Sequence, residues 1–392
     1  MASRDHSPVY YLITPAGFPN YGDELIADGW LRHLAEVAPD AEVWVDTHSP
    51  GPAQLLHGGT HPRVRFVDTL WRLCGEAGRD SDNDPWQVAA WVQRAVNDPS
   101  LSPARRHGIE LLRRADVLHV LGGGYVNGIW PHHFGLLGGA AAIARQTGAR
   151  TAMTGQGLVP PPEDGTALLR ALTDRFDIVD VRDAESADVL GTEPGLDDAF
   201  LTIAQQPTIA PETVWPDTEP PEVMVCVQSD RNDSGAGALA GAVLSLLRAW
   251  RVRPETVCFV EGIPRVDNHI VALIEQELPG ARHYSFAELW DNGLPVTAQQ
   301  TWVSTRFHLH LAAAAAGAGG VAVPLSTEYY TPKHQALLDL GSGWTMLSEL
   351  GDTPDMPDSG GFDAATLDAH RKRKLRLAES IYDGAGTRRW QA

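Results

Sequence analysis

The sequence predicts an α/β protein built from two doubly wound domains, each a parallel sheet covered by helices. Short apolar runs typical of buried strands alternate with amphipathic helical stretches along the whole chain. Five prolines within residues 207–221 interrupt this alternation, which then starts again. A chain of 392 residues is also longer than one average domain. Two domains facing a cleft are therefore expected.

The first half of the chain contains six predicted strands, because six short runs are rich in valine, isoleucine, leucine and aromatic residues. The runs are VYYLITP (9–15), AEVWVDT (41–47), VRFVD (64–68), DVLHVLGGG (116–124), RTAMTGQG (150–157) and DIVDVRD (177–183). Helical patterns lie between them, including Asp23 to Glu36 and His132 to Thr147. The first domain is expected to cover residues 1–206.

The second half repeats the pattern after a proline-rich segment, residues 207–221, which is expected to be a linker without helix or strand. Predicted strands are EVMVCVQ (222–228), TVCFVE (256–261), ARHYSF (281–286), TWVST (301–305) and GVAVPL (320–325). Helices are predicted from Ala238 to Trp250, from Asn268 to Leu278 and from Asp363 to Tyr382. The second domain is expected at residues 222–362, followed by a C-terminal helix and tail at 363–392.

Composition excludes several classes of protein. The net charge is −19, with 50 acidic and 31 basic residues, which disfavours nucleic acid and anionic lipid as general partners. An anionic substrate would need a local positive pocket. The three cysteines are far apart and form no CxxC pair, so neither a disulfide framework nor a zinc site is predicted. Without a signal peptide or an uninterrupted apolar span, the chain is expected to be soluble and intracellular.

Candidate site residues follow the predicted strands, where ligands bind in such sheets. In 14-TPAGFPNYGDELI-26, glycines and proline shape a turn, and Asp23 stands in the first helical turn, where a carboxylate suits the helix dipole. This helix start explains most of the pattern. The alternative is a loop that binds sugar hydroxyls or accepts a proton, since its acidic residues would repel a phosphate.

Two further loops contain glycine or charged residues. The run 119-HVLGGGYVNG-128 lacks the third glycine of a dinucleotide fingerprint, so NAD binding is not predicted. Its glycines would let a ligand approach the backbone, and Tyr125 either stacks on a sugar or packs in the core.

In 178-IVDVRDAES-186, Asp183 is typical of a helix cap. Arg182 points either into the cleft or into an ion pair, and we favour the ion pair.

The stretch 301-TWVSTRFHLH-310 gives the strongest prediction. If it is extended, Arg306 and His308 lie on one side and Phe307 on the other, provided that the helix begins at or after His308. Cations near a helix N-terminus oppose its dipole, which indicates that an anionic ligand is bound there. The alternative is a surface arginine beside a hydrogen-bonded histidine. Downstream, Lys333 is a second anion contact or a solvated helix residue.

The basic run 370-HRKRKLR-376 has two interpretations in this acidic chain. A solvated helix face is the simpler one. A docking site for an anionic, lipid-linked acceptor is the alternative.

Six segments, taken in order, resemble the polysaccharide pyruvyl transferase family: PNYGDELI, DVLHVLGGGYVN, TGQGLVP, VRDAES, LDDAF and STRFH with YYTPK. The likeness extends from about residue 10 to about residue 340. It departs from the family at Gly157, where members often carry serine. The resemblance implies a glycosyltransferase-B-like fold of two Rossmann-like domains. It also implies a reaction in which phosphoenolpyruvate gives its pyruvyl group to two hydroxyls of a sugar, releasing phosphate.

The resemblance assigns roles to residues of this chain. His308 and Arg306 would be catalytic and bind phosphoenolpyruvate, Arg182 would be a second anion contact, and Asp23 would take a hydroxyl proton. Further substrate-binding residues would be Asn20, Gly123, Gly124, Tyr125, Asn127, Gln156 and Lys333. No metal and no cofactor besides the co-substrate is expected. The acceptor would be a glycan or glycolipid, free or lipid-linked, handled in the cytoplasm or at the inner face of the membrane.

Two rival functions remain open from the sequence, together with the oligomeric state. One is a nucleotide-sugar-dependent glycosyltransferase of the same fold. The other is a carbohydrate-binding relative without activity.

Overall fold

The computed structural model describes residues 7–230, 233–326 and 329–383. The chain forms two compact units, and neither is continuous in sequence. Unit 1 consists of Met1–Phe18, Asp23–Leu201 and Lys372–Ala392, and unit 2 consists of Pro19–Gly22 and Thr202–Arg371.

Unit 1 contains a six-stranded parallel sheet with strand order β3-β2-β1-β4-β5-β6. The strands are β1 (Val9–Ile13), β2 (Glu42–Asp46), β3 (Val64–Val67), β4 (Val117–Val120), β5 (Arg150–Gln156) and β6 (Ile178–Val181). Every residue of β1 and β4 is buried, as expected for central parallel strands covered on both faces. All six strands predicted for this half of the chain are confirmed.

This half of the chain contains eight α-helices among the described residues, and a glycine lets two of them pack closely. They are α1 (Tyr21–Val37), α2 (Pro50–His57), α3 (Thr69–Asp80), α4 (Pro85–Asn97), α5 (Arg106–Leu112), α6 (Phe134–Thr147), α7 (Thr166–Thr173) and α8 (Ala184–Leu190). A Cβ atom at Gly138 of α6 would lie 3.2 Å from the backbone oxygen of Ala89 in α4. Glycine at this position therefore allows the two helices to approach each other.

Unit 2 repeats the same strand order, β10-β9-β8-β12-β13-β14, and pairs β7 with β11 in a small separate sheet. The strands are β7 (Thr208–Ile209), β8 (Val223–Cys226), β9 (Val257–Val260), β10 (Arg282–Tyr284), β11 (Leu294–Pro295), β12 (Thr301–Ser304), β13 (Gly319–Ala322) and β14 (Thr345–Met346). The five strands predicted for this half are present. The sequence does not reveal β14, since two residues carry no periodicity.

The remaining helices are α9 (Pro211–Val214), α10 (Ala236–Ala249), α11 (Asn268–Ile274), α12 (Phe286–Asn292), α13 (Phe307–Ala315), α14 (Tyr330–Asp339) and α15 (Ala364–Tyr382). Helix α13 is apolar nearly all round and mostly buried, which is typical of a helix inside a core. Among the described helices, none combines the length and the apolarity needed to cross a bilayer.

Two details differ from the sequence interpretation. The proline-rich segment 207–221 is not free of regular structure, because β7 pairs with β11 and Pro211 starts the one-turn helix α9. Proline is well accommodated at the first position of a helix, where its missing N–H has no partner to lose. In addition, the C-terminal part of α15, from Lys372 onward, belongs to unit 1 rather than to a separate tail.

Candidate active site

The junction between β12 and α13 places Arg306 at the carboxyl end of a central strand of unit 2. Arg306 has extended backbone angles, φ −93° and ψ 119°, and α13 begins at the next residue. The Ser304 hydroxyl accepts a hydrogen bond from the Arg306 N–H (3.0 Å) and donates one to its carbonyl (3.0 Å). His308 thus lies in the first helical turn, so the expectation of an extended Arg306–His308 segment is wrong by one residue.

The Arg306 side chain is paired with acidic residues of the protein, so carboxylates already contact part of the guanidinium that is expected to bind an anionic ligand. Its Nη2 donates to Oδ1 of Asp267, and its Nε lies 3.2 Å from the same oxygen. A longer contact of 3.4 Å joins Nη2 to Asp230. The buried Asp267 therefore explains why a cation is stable beside a helix N-terminus. Burial raises the pKa of the Asp267 carboxyl, and the Arg306 charge opposes that shift.

Asp267 also organises the loop beside Arg306. Its second oxygen, Oδ2, accepts hydrogen bonds from the backbone N–H groups of Gly262 (2.8 Å) and Ile263 (2.9 Å). The carbonyl of Gly262 in turn accepts from the N–H of Tyr21 at 3.0 Å. One carboxylate thus connects Arg306 to the loop on which residues 19–22 rest. The sequence gives no signal for this role, because an aspartate before α11 has the appearance of an ordinary helix cap.

His308 is half-buried and packs against the backbone of Gly22. A Cβ atom on Gly22 would lie 1.8 Å from Nδ1 of His308, so no other residue fits there without moving the imidazole. The Phe307 ring meets the imidazole edge-on, with ring centroids 4.9 Å apart. Asn20 shapes the turn by accepting a hydrogen bond from the N–H of Gly22 (3.3 Å). The sequence indicates a turn here, whereas the packing of Gly22 on His308 emerges only from the structure.

Lys333 is not a solvated helix residue. Its side chain is buried, and its ammonium group lies 3.1 Å from the ring centroid of Tyr329 and 5.2 Å from that of Tyr330. Cation–π attraction to these rings offsets the loss of hydration. The interpretation of Lys333 as a solvated helix residue is therefore wrong, and its role as a second anion contact stays a prediction.

In unit 1, the glycine-rich loop after β4 packs against protein groups. Gly122 donates its N–H to Oδ2 of Asp198 at 2.8 Å. Gly123 has φ +145°, a conformation that strongly favours glycine, and a Cβ there would lie 2.8 Å from the ring of Tyr125. Close packing thus explains these two glycines. Gly124 is half-buried, and a backbone contact from it to a substrate stays a prediction.

Three side chains predicted to bind substrate in unit 1 are buried and hydrogen-bonded within the protein. The Tyr125 hydroxyl donates to the carbonyl of Leu121 at 2.6 Å, and the Gln156 amide donates to the same carbonyl. The Asn127 side chain donates to the carbonyl of Gly124 (2.9 Å) and accepts from a backbone N–H (3.0 Å). Because these groups are enclosed, the structure places none of the three side chains to contact a ligand. For Tyr125, core packing is confirmed.

Arg182 forms the ion pair that the sequence favours. Its side chain is 3% exposed and lies 3.0 Å from Asp197 and 3.6 Å from Asp183. Asp183 caps α8 by accepting the N–H of Ser186 at 2.8 Å, as predicted. A Cβ on Gly157 would lie 2.8 Å from the Arg182 guanidinium, so the glycine leaves room for this side chain. Its guanidinium is enclosed by carboxylates, and a direct contact of Arg182 with substrate stays a prediction.

The basic run at 370–376 is partly structural. Lys374 is buried and its ammonium group lies 2.6 Å from Asp180, 2.8 Å from Asp198 and 2.7 Å from the carbonyl of Leu196. Asp198 also accepts from the indole of Trp30 at 2.8 Å. Lys374 therefore anchors α15, and a fully solvated basic face is excluded.

The predicted site residues divide between the two units. Asn20, Arg306, His308 and Lys333 belong to unit 2, and the structure brings Arg306, His308 and Asn20 into one connected network. The predicted residues of unit 1 are Asp23, Gly123, Gly124, Tyr125, Asn127, Gln156 and Arg182. Asp23 is half-buried, and its proposed proton transfer stays a prediction. Within the described part of the chain, no three histidine, cysteine, aspartate or glutamate side chains are grouped to hold a metal ion.

Comparison with solved structures defines the class of fold. A putative UDP-N-acetylglucosamine 2-epimerase from Listeria monocytogenes is similar over 97% of this chain and 91% of its own, with 12% identity and a TM-score of 0.50. MnaA of S. aureus, solved with UDP, is similar over 97% and 89%, with 11% identity and a TM-score of 0.50. At such identities the likeness shows the fold alone. The expected glycosyltransferase-B-like class with two Rossmann-like domains is confirmed.

The sequence identifies the family. The model of the family described as polysaccharide pyruvyl transferase matches residues 20–326, which is most of the chain. The protein therefore belongs to the polysaccharide pyruvyl transferase family. A comparison with curated protein sequences finds no significant match.

Proposed function

We propose that this enzyme transfers the pyruvyl group of phosphoenolpyruvate to two hydroxyls of a sugar, forming a cyclic ketal and releasing phosphate. The observation that supports this most directly is the pair Arg306 and His308 at the β12–α13 junction, in a chain of this family. The pair combines an anion-binding group with a proton donor, and the reaction requires both.

Arg306 is proposed to hold phosphoenolpyruvate through the part of its guanidinium that Asp267 leaves uncovered. The protein hydrogen bonds of Arg306 involve Nε and Nη2, whereas Nη1 donates none to a described residue. Pairing with Asp267 fixes the plane of the guanidinium, so less side-chain freedom is lost when an anion binds. The N-terminus of α13 adds a favourable dipole for negative charge. These two effects compensate for the partly neutralised charge of Arg306.

His308 is proposed to supply the proton that starts the reaction. Protonation of the methylene carbon of phosphoenolpyruvate makes C2 electrophilic, and a sugar hydroxyl adds there with loss of its proton. Phosphate then leaves, and a neighbouring hydroxyl closes the ketal with loss of a second proton. The alternative role for His308 is protonation of the leaving phosphate. The balance is phosphoenolpyruvate plus a sugar diol giving a pyruvate ketal plus inorganic phosphate.

The acceptor is proposed to be a sugar of a glycan or glycolipid, free or lipid-linked. The family description supports a polysaccharide acceptor in general terms. A cytoplasmic reaction, at the membrane when the acceptor is lipid-linked, would give access to phosphoenolpyruvate.

A phosphate-release screen tests the proposal. The protein would be incubated with phosphoenolpyruvate and a panel of β-galactosides, glucosides and mannosamine-containing acceptors. Acceptor-dependent phosphate release and a ketal carbon in the product's ¹³C spectrum are expected. The rival glycosyltransferase function predicts instead thermal stabilisation by UDP- or GDP-sugars and no response to phosphoenolpyruvate. Binding of sugar without phosphate release would indicate a non-catalytic relative.

A further inference from the structure

Two buried histidines lie beside the strand-to-helix junction that carries Arg306 and His308, and the proposed reaction does not use either of them. His310 is on α13 and His334 is on α14, and both are fully enclosed. Their Nδ1 atoms are 3.0 Å apart. The ring of His310 also stacks on Trp344, with centroids 4.1 Å apart and planes inclined by 15°. Polar rings buried so completely require defined hydrogen bonds.

The contacts of these rings fix the position of every proton. Nε2 of His334 faces the carbonyl oxygen of Thr305 at 3.3 Å and must therefore carry hydrogen. Burial lowers the pKa of His334 to about 4, so its ring is neutral near pH 7 and its Nδ1 accepts. His310 must then donate from Nδ1, and its Nε2 accepts from the Ser342 hydroxyl at 2.9 Å. The result is a one-way chain of hydrogen bonds from Ser342 to Thr305.

This chain ends on the backbone that carries Arg306. The carbonyl of Thr305 accepts from His334, and the next carbonyl, that of Arg306, accepts from the backbone N–H of His310 at 3.0 Å. Two further hydrogen bonds hold Thr305. Its N–H donates to the backbone carbonyl of Cys226 at 3.0 Å, and its hydroxyl accepts from the backbone N–H of Gln228 at 3.0 Å. The histidine pair thus fixes the Thr305 carbonyl, which belongs to the peptide plane just before Arg306, whereas the bond to the Arg306 carbonyl is a regular backbone bond of α13.

We propose that His310 and His334 are positioning residues for the catalytic pair: their ordered hydrogen bonds fix the Thr305–Arg306 peptide plane, from which Arg306 projects and after which α13, the helix that carries His308, begins. The inference rests on the proposed function for its kinetic consequence, whereas its structural consequence is measurable without turnover. Displacement of reacting groups by about 1 Å lowers rates by roughly 10²-fold.

The test compares two substitutions of His334 that differ in one hydrogen bond. In His334→Gln the amide nitrogen can replace Nε2 and still donate to Thr305, whereas His334→Leu cannot donate. We expect kcat for phosphate release to fall roughly 10- to 100-fold in the leucine variant and to recover largely in the glutamine variant. His119→Leu is the matched control, because His119 is a buried histidine of unit 1 bonded to Thr154 and Tyr382. It should lower thermal stability without changing kcat.

Nuclear magnetic resonance gives a readout that does not depend on activity. Long-range ¹H–¹⁵N spectra should show hydrogen on Nδ1 of His310 and on Nε2 of His334. The Arg306 Nε–H and His308 ring signals should shift in His334→Leu and stay near their wild-type positions in His334→Gln. Opposite tautomers, or equal effects of the two substitutions in folded protein, would overturn the inference. Absence of phosphate release by the wild-type protein would instead reject the proposed function. The spectra would then still decide whether the histidine pair positions Arg306 and His308.

Discussion

The two units share one strand order but use the carboxyl ends of their sheets differently. In unit 1, polar groups after the strands form hydrogen bonds and ion pairs within the protein. Asp198, for example, accepts a hydrogen bond from the N–H of Gly122 and forms an ion pair with Lys374. In unit 2, the corresponding edge presents Arg306 and His308 with part of each side chain exposed. The same topology therefore supports a structural network in one unit and a candidate reaction centre in the other.

Arg182 of unit 1 and Arg306 of unit 2 illustrate the difference between the two units. Arg182 is 3% exposed and faces Asp183 and Asp197, whereas Arg306 is 13% exposed and has one buried partner, Asp267, and one exposed partner. Removing an arginine that is enclosed by two buried carboxylates leaves buried charge unpaired and destabilises the fold. An arginine that is bonded along only one edge of its guanidinium, as Arg306 is through Nε and Nη2, keeps N–H donors available for a ligand. Substitutions in the two units should accordingly affect different properties, turnover in unit 2 and stability in unit 1.

The largest effect on turnover is expected from His308→Ala. Loss of a general acid should lower phosphate release by roughly 10²- to 10⁴-fold, with little change in thermal stability because the ring is only half-buried. Initial rates with phosphoenolpyruvate and a responsive acceptor would measure this. His107→Ala removes a histidine that is 97% exposed and should leave the rate unchanged. Near-normal turnover of His308→Ala would remove the basis for assigning chemistry to unit 2.

A smaller loss of turnover is expected from Gly22→Ala. The new methyl group would overlap Nδ1 of His308, so the imidazole must move, and we expect a loss of roughly 10-fold or more. Rates and melting temperature should be measured together. Gly51→Ala is the matched control, since a Cβ there meets nothing within 4 Å. Equal rates for the two variants would show that the contact with Gly22 does not position His308.

In unit 1, Arg182→Met should change stability rather than turnover. Removing one partner of a buried ion pair leaves Asp197 uncompensated and costs roughly 3–5 kcal/mol of unfolding free energy. Urea unfolding would measure the loss, and kcat per folded molecule should stay near the wild-type value. A rise in KM for phosphoenolpyruvate, with the free energy of unfolding unchanged, would show instead that Arg182 contacts the substrate.

The smallest effect concerns the pH dependence of unit 1. Burial raises the pKa of Asp46 to about 7 from its usual 3.8, despite hydrogen bonds from Leu70 and Tyr11. The folded state thus binds this proton more tightly than the unfolded state does. The contribution to stability is complete below about pH 4 and is lost as pH rises towards 7. Asp46→Asn should therefore gain stability relative to wild type across this window, and a constant difference in melting temperature from pH 4 to pH 8 would contradict the shift.

Local patterns predicted much of this molecule, whereas long-range partners remained hidden. Continuous apolar runs revealed eleven strands of the two main sheets, and the position of Asp183 before a helix revealed its cap. The partnership of Asp267 with Arg306 joins residues 39 positions apart, and that of Lys374 with Asp180 spans 194. No periodicity encodes such pairs. The sequence therefore located Arg306 and His308 but gave no account of what holds them.

Titration calorimetry with phosphoenolpyruvate tests the central claim most directly, because it measures binding without an acceptor. Wild-type protein should bind the compound, Arg306→Met should bind it at least roughly 10-fold more weakly, and Arg182→Met, where folded, should bind it as wild type does. Equal affinities of wild type and Arg306→Met, or a loss confined to Arg182→Met, would contradict the assignment of the phosphoenolpyruvate site to unit 2.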